Sequence, residues 1–240
     1  LWTLMHAKSI GEVEHMLTEP THGECYHPIH HIMFSIYANS LASQQLDKLI
    51  AASKKAKVDS CAYTSPHIVL IIGESYGKHH SQQYGYVQPT TPRQIQRERS
   101  GQLVKFSDVV SPWNLTSYVF KHVFSLYNVG DPGEWCDYPL FPEMFRKAGY
   151  HVTFITNQFL SQANENVYDF SGGFFLNNPT LNKAMFDTRN DSLYTFDEHL
   201  VAEYSHLKAQ EGKYNLTIFH LIGQHVGYKY RSPNNRRRWK

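Results

Sequence analysis

Apolar residues gather in short dense runs along this chain, separated by stretches whose apolar positions recur at helical spacing. Ile68-Val69-Leu70-Ile71-Ile72 is one such run, rich in β-branched side chains and too short to cross a bilayer. It has the length and composition of a central parallel strand buried on both faces. His151-Val152-Thr153-Phe154-Ile155-Thr156 and residues 216–222 repeat the pattern. Between these runs, helices are expected over residues 78–84, 92–99, 116–127, 141–148 and 193–207. Pro92 sits in a first turn and Gly149 closes the helix before it. Residues 103–106 and Val109-Val110 read as short strands. Strands alternating with helices predict an α/β fold with a mainly parallel sheet sandwiched by helices.

Upstream, Ile29, Ile32, Met33, Ile36, Tyr37, Leu41, Leu46, Leu49 and Ile50 recur at spacings of three and four, which predicts one long amphipathic helix over residues 28–58. Such a helix either packs on the following domain or lies on a membrane surface. His27, His30 and His31 cluster at its start, but adjacent positions do not share one helical face. The chain therefore divides into a helical linker, 1–60, and a folded domain, 61–240. The Asn-rich tracts around residues 164–166 and 177–190 read as loops.

Composition narrows the picture. A chain of 240 residues with 41% hydrophobic and 14% aromatic residues buries one substantial core. Twenty-three Lys and Arg against 21 Asp and Glu leave a formal charge of +2, too balanced to imply a nucleic-acid partner. No apolar run spans a bilayer, and no signal-peptide pattern opens the chain. Cys25, Cys61 and Cys136 match neither a zinc ribbon nor a disulfide framework. The start at Leu1 and the Arg-rich finish suggest a fragment, truncated at both ends. Three Asn-x-Ser/Thr sequons, at Asn114, Asn190 and Asn215, are expected from composition alone.

The candidate chemistry lies where strands end. Gly73-Glu74-Ser75 follows the first run, and ligands of open α/β sheets gather beyond the carboxyl ends of strands. Glu74 is placed to hold a metal ion. Thr116 opens an expected helix, where backbone N–H groups favour an anion. A lone threonine there would otherwise be an ordinary cap. His220 and His225 flank the end of the last strand, in His220-Leu221-Ile222-Gly223-Gln224-His225. Within the apolar strand, His220 suits a core role, while His225 is placed to move a proton. Asn157 and Gln158 end the middle strand, as loop caps or as polar contacts to a substrate.

The blocks Gly73-Glu74-Ser75 with Tyr84-Gly85-Tyr86 and Thr90-Thr91-Pro92, then Val109-Val110-Ser111 through Phe124-Ser125, then the His220 to His225 segment, resemble the membrane-anchored phosphoethanolamine transferases of the sulfatase and alkaline phosphatase superfamily. The resemblance implies a sulfatase-like catalytic domain, of which 61–240 is the N-terminal part. It implies a Zn2+ site with Glu74 and Thr116 as ligands, Thr116 as catalytic nucleophile, and His225 as a second catalytic residue. Asn157, Gln158 and His220 fall at substrate-binding positions. It further implies transfer of phosphoethanolamine from phosphatidylethanolamine, through a phosphothreonine-type intermediate, to lipid A or a related envelope-glycan phosphate. The protein would then sit in the bacterial inner membrane, anchored by a missing N-terminal segment, with this domain in the periplasm.

Several departures stand out. The family's late Asp-His pair is absent, so the remaining zinc ligands are expected beyond Lys240; Asp197-Glu198-His199 is the nearest imitation. Trp113, Asn114, Lys121 and His122 replace the residues usual around the nucleophile, and Ser117 takes its place if the register slips by one. Val226-Gly227 replaces the usual Gly-Pro, and the loop 161–168 carries no cysteine. Rival readings are another superfamily phosphodiesterase or sulfatase-like hydrolase, an esterase using Ser75, or a non-catalytic envelope-binding domain.

Overall fold

The computed structural model describes residues 12–13, 27–111, 113, 116–158, 174–225, 227, 230–231 and 233, excepting the side chains of residues 27, 30, 117, 174 and 209. Cys25, the Asn114 sequon, Ser117 as alternative nucleophile, the loop tract 161–168 with Gly172-Gly173, Val226 and the Arg-rich finish lie outside what is described, as do the side chains of His27 and His30.

Among the described residues, four strands form one sheet in the order β1-β4-β2-β3, with β1 His67–Ile72, β2 His151–Thr156, β3 Thr188–Arg189 and β4 Asn215–His220. Every pairing is parallel. Ile68 lies opposite Leu216 on one side of β4, and Val152 lies opposite Leu216 on the other. The three expected strands thus share one sheet in register. Flanking them are α1 His27–Lys55, α2 Pro92–Arg99, α3 Thr116–Phe124, α4 Phe141–Lys147, α5 Phe174–Asn177, α6 Pro179–Met185 and α7 Glu198–Leu207. Strands covered by crossover helices are the arrangement that an all-parallel sheet requires.

The core forms where β2 and β4 meet α3, α4 and α6. Phe120 and Phe124 of α3 stack on each other, and Phe124 presses on Phe154, Phe175 and Phe141. Phe124, Phe154 and Phe175 are fully buried. Truncating any of them to alanine costs about 3–5 kcal/mol, from lost transfer energy plus a cavity. This packing fixes the axis of α3, and hence the position of its first residue, Thr116.

The long helix α1 forms as its spacing predicts, but the face it buries is Phe34, Ala38, Ala42, Gln45 and Leu49; of the predicted stripe only Leu49 is buried, while Met33, Tyr37, Leu41, Leu46 and Ile50 pack partly buried beside it. Lys48 Nζ lies 2.6 Å from Glu134 Oε2, and Lys147 Nζ donates to the carbonyls of Ser53 and Ala56 at 2.6 and 2.8 Å. Its second half therefore packs on the domain, while Ile29, Ile32 and Ile36 near its start are exposed. Among the described residues no helix is long and apolar enough to cross a membrane.

Several elements differ from expectation. Residues 103–106 and 109–110 form no strand: Val104, Phe106, Val109 and Val110 are exposed, and the segment is tied by Lys105 to Glu98 and by Lys78 to the Ser107 carbonyl. Residues 78–84 form two short 3-10 turns, Lys78–His80 and Gln82–Tyr84, in place of one helix. The helix expected to reach residue 127 stops at Phe124, because the Ser125 hydroxyl donates to the Trp135 carbonyl and Ser125 bridges Leu140. The expected helix over 193–207 begins only at Glu198, since Tyr194 N–H is committed to Asn157. Residues 177–190, expected as a loop, hold α6 and β3. There, Asn178 caps α6 through the N–H groups of Thr180 and Leu181, with Pro179 following it.

Candidate active site

Glu74 lies two residues past the end of β1, and Thr116 is the first residue of α3. The Thr116 hydroxyl donates to Glu74 Oε2 at 2.9 Å, and the Ser75 hydroxyl donates to Glu74 Oε1 at 2.9 Å. One carboxylate thus collects two hydroxyls. Ser75 holds this position with a left-handed backbone, φ 52, which is uncommon outside glycine. Among the described residues no histidine hydrogen-bonds Ser75, so nothing there equips it as an esterase nucleophile. Thr116 has both a partner oxygen and a helix N-terminus behind it.

The loop after β4 presses on this pair from the other side. Gln224 N–H donates to the Glu74 carbonyl at 3.0 Å, and Gly223 takes φ 52. A Cβ on Gly223 would meet the Glu74 carbonyl oxygen at 2.5 Å and its nitrogen at 2.8 Å, so only glycine allows this approach. His225 follows in the same loop, half-buried, with its N–H on the Ile222 carbonyl at 3.2 Å. Its imidazole hydrogen-bonds none of the described residues. The loop that carries His225 is therefore docked on Glu74.

His220 ends β4 fully buried. Gln158 Nε2 donates to the Leu221 carbonyl at 2.7 Å and approaches His220 Nε2 at 3.2 Å. The amide nitrogen is a donor, so His220 Nε2 accepts, and Nδ1–H donates to Thr156 Oγ1 at 3.1 Å. Phe120 tilts against the ring at 4.5 Å. Burial pushes the imidazole down to about 4, against the opposing charges of Glu74 and Asp197. Neutral and saturated, His220 does not offer the substrate contact expected of it; it is a core histidine beneath the site.

Asn157 is likewise committed. Its Nδ2 donates to Asp197 Oδ1 at 3.0 Å, its Oδ1 accepts from Tyr194 N–H at 2.7 Å, and its N–H reaches the His220 carbonyl at 2.9 Å. With 3% exposure it acts as a loop cap. Gln158 serves the same network through His220 and Leu221. Asn157 is thus spent on the protein's own fold, as is the amide nitrogen of half-buried Gln158.

Asp197 was not singled out by sequence beyond its likeness to an Asp-His pair. It is the N-cap of α7, yet its side chain makes no bond to its own helix. A cap residue is invisible as anything else in sequence, because its partners lie 25 and 26 positions away.

The donor set at Glu74 and Thr116, an anionic carboxylate with a hydroxyl, suits a divalent cation. Among the described residues no cluster of three or more His, Cys, Asp or Glu completes it. The two oxygens fit a metal as part of a site. A separate cavity of about 400 Å³ lies at the amino end of β2, the opposite end of the sheet from Glu74, lined by Glu143, Arg146, Lys147, His151 and Asp187. Its charges are already paired as Arg146–Asp187 and Lys147–Glu143.

A family model described as Sulfatase matches residues 66–240. The phosphoethanolamine transferase EptC of Escherichia coli strain K12 is 27% identical over 169 residues, 70% of this chain and 29% of that protein. EptA of Helicobacter pylori is 27% identical over 243 residues, 100% of this chain and 40% of that protein. The chain therefore spans well under half the length of these relatives. Among solved structures, the periplasmic domain of Escherichia coli EptC in complex with Zn superposes with a TM-score of 0.59 at 26% identity, over 71% of this chain and 47% of that one. The soluble domain of the Neisseria meningitidis lipooligosaccharide phosphoethanolamine transferase A gives 0.58 at 19% identity, over 79% and 55%, a likeness of fold.

Proposed function

The chain belongs to the sulfatase family, and from that premise we propose that residues 61–240 carry the nucleophile half of a phosphoethanolamine transferase site, with residues 1–60 as the linker before it. The observation that carries the reading is the 2.9 Å contact from the Thr116 hydroxyl to Glu74 Oε2 at the carboxyl edge of the sheet. The 27% identity to EptC and EptA, whose names give the reaction, supports the choice of phosphoethanolamine over other groups.

The Thr116 hydroxyl passes its proton to Glu74 Oε2 as Oγ1 attacks the phosphorus of phosphatidylethanolamine, and takes it back when the acceptor releases Thr116. The bond from phosphorus to the diacylglycerol oxygen breaks, and diacylglycerol leaves with a proton. An acceptor phosphate oxygen, on lipid A or a related envelope glycan, then attacks the phosphothreonine and releases Thr116. Glu74 orients the hydroxyl by accepting its hydrogen bond, and the first turn of α3 presents backbone N–H groups to the anionic phosphoryl oxygens. His225, on the loop docked against Glu74, is the group that gives the leaving oxygen its proton. Glu74 and Thr116, together with further ligands, would hold zinc, which would supply Lewis acidity at the Thr116 hydroxyl. The reading places the protein in the inner membrane with this domain in the periplasm.

The test uses full-length protein in vesicles containing a fluorescent phosphatidylethanolamine. Multiple-turnover release of fluorescent diacylglycerol that depends on an added lipid A acceptor is expected, and Thr116→Ala should remove it. Release of phosphoethanolamine into solution without an acceptor would point instead to a phosphodiesterase.

A further inference from the structure

Resting on the transferase reading, we propose that Asp197 is a positioning residue: it clamps the loop after β4 onto the backbone of Glu74 and thereby sets the Glu74–Thr116 pair. Aspartate at an N-cap ordinarily turns back to the N–H groups of its own helix. Here it forgoes that bond. Its carboxylate instead reaches across to the loop, where Oδ1 accepts from Ile222 N–H at 2.9 Å and Oδ2 accepts from Gly223 N–H at 2.8 Å. A third bond, from Asn157 Nδ2 at 3.0 Å, anchors the carboxylate to the end of β2. Asn157 is itself fixed to Tyr194 N–H and to the carbonyl of His220.

Two consecutive N–H groups held by one carboxylate leave the loop little freedom, since hydrogen bonds to an ionised acceptor are about twice as strong as neutral ones. The held residues are the ones that touch Glu74. Gly223 lies so close to Glu74 that a Cβ would be 2.5 Å from its carbonyl oxygen, and Gln224 N–H donates to that same oxygen at 3.0 Å. Position is thus passed from β2 through Asn157 and Asp197 to the loop, and from the loop to the residue that holds the Thr116 hydroxyl. Asp197 and Glu74 both act electrostatically on the buried His220 ring. Transfer chemistry depends on geometry at this scale, and a misplacement of about 1 Å can cost about a hundredfold in rate.

The experiment compares wild type, Asp197→Asn and Asp197→Ala in the full-length protein. Two readouts are taken: amide hydrogen exchange at single-residue resolution, and steady-state transfer from fluorescent phosphatidylethanolamine. In Asp197→Ala, exchange at Ile222 and Gly223 should rise, and exchange at Gln224, which does not touch Asp197, should rise about tenfold with them, while the amides of β4 keep wild-type protection. The kcat should fall about tenfold to a hundredfold, with KM for the donor within about twofold. Asp197→Asn keeps one acceptor oxygen and should fall between, and it carries both readouts if the alanine variant does not fold. Unchanged protection at Gln224, or an unchanged kcat in a loosened loop, overturns the proposal. If wild type transfers nothing, the transferase reading fails, and the exchange at Gln224 alone still decides whether Asp197 clamps the loop.

Discussion

At the end of β4 and β2, His220, Thr156 and Asn157 are buried and hydrogen-bonded within the protein, with the amide nitrogen of half-buried Gln158 joining them, whereas at the end of β1 the Glu74 carboxylate meets two hydroxyls in a half-exposed setting. The two clusters are neighbours on the same sheet edge and use similar residue types. Their difference lies in what is left over. A buried network with every donor and acceptor matched rigidifies its surroundings and has nothing to offer a ligand. An anionic oxygen pair with its hydroxyls turned toward it keeps capacity for a cation and a phosphoryl group. The closed cluster thus serves as the support that holds the open one in place.

The sharpest way to break this contrast is to remove one residue from each side. Glu74→Ala should reduce transfer by at least about a hundredfold and lower zinc content, since it deletes an anionic ligand. Thr116→Ser, which keeps a hydroxyl, should retain measurable transfer, and Thr116→Ala should hold more zinc than Glu74→Ala. Equal transfer by Glu74→Ala in the presence of a chelator would place the chemistry elsewhere.

A second test uses pH on the closed cluster. The folded state depresses His220 to about 4 from an ordinary 6.5, so the unfolded chain binds the extra proton first as pH falls. Stability from this group is full above pH 6.5 and drains away toward pH 4, a loss of about 3 kcal/mol. His220→Phe should be less stable at neutral pH yet show a flatter fall between pH 6.5 and 5, as read from denaturant midpoints. An unchanged slope would mean that the ring is not held neutral.

The smallest effect belongs to Asn157→Ala, which should cost about 1–3 kcal/mol of stability through unpaired partners at Asp197 and Tyr194. Its donor KM should stay within about twofold of wild type. A large rise in KM would restore Asn157 as a substrate contact.

The residues of the open cluster were legible in sequence, and those of its support only in part, for physical reasons. Glu74 announces itself as a carboxylate just past an apolar run, and Thr116 as a hydroxyl at a helix start. His220 was readable as a core histidine from the apolar strand around it. Asp197 was not, because it looks like an ordinary helix cap and its partners come from a distant loop. The run 68–72 predicted a central strand, yet β1 is the edge of the described sheet, with Val69 and Ile71 exposed by 56% and 63% while Ile218 of β4 is fully buried. Periodicity reports the apolar content of a strand; it does not report its neighbours. The helix α6 was missed although Asn178-Pro179 is a start signal, because the Asn-rich composition around it reads as loop.

The central claim is that Thr116, oriented by Glu74, takes up the transferred group. Full-length protein incubated with phosphatidylethanolamine and no acceptor, then quenched and weighed intact, tests it most directly. One added phosphoethanolamine, mapped to the Thr116 peptide, lost in Thr116→Ala and discharged by adding the acceptor, is the predicted result. An adduct that persists in Thr116→Ala, that maps to Ser75, or that never forms in a protein active in transfer would contradict it.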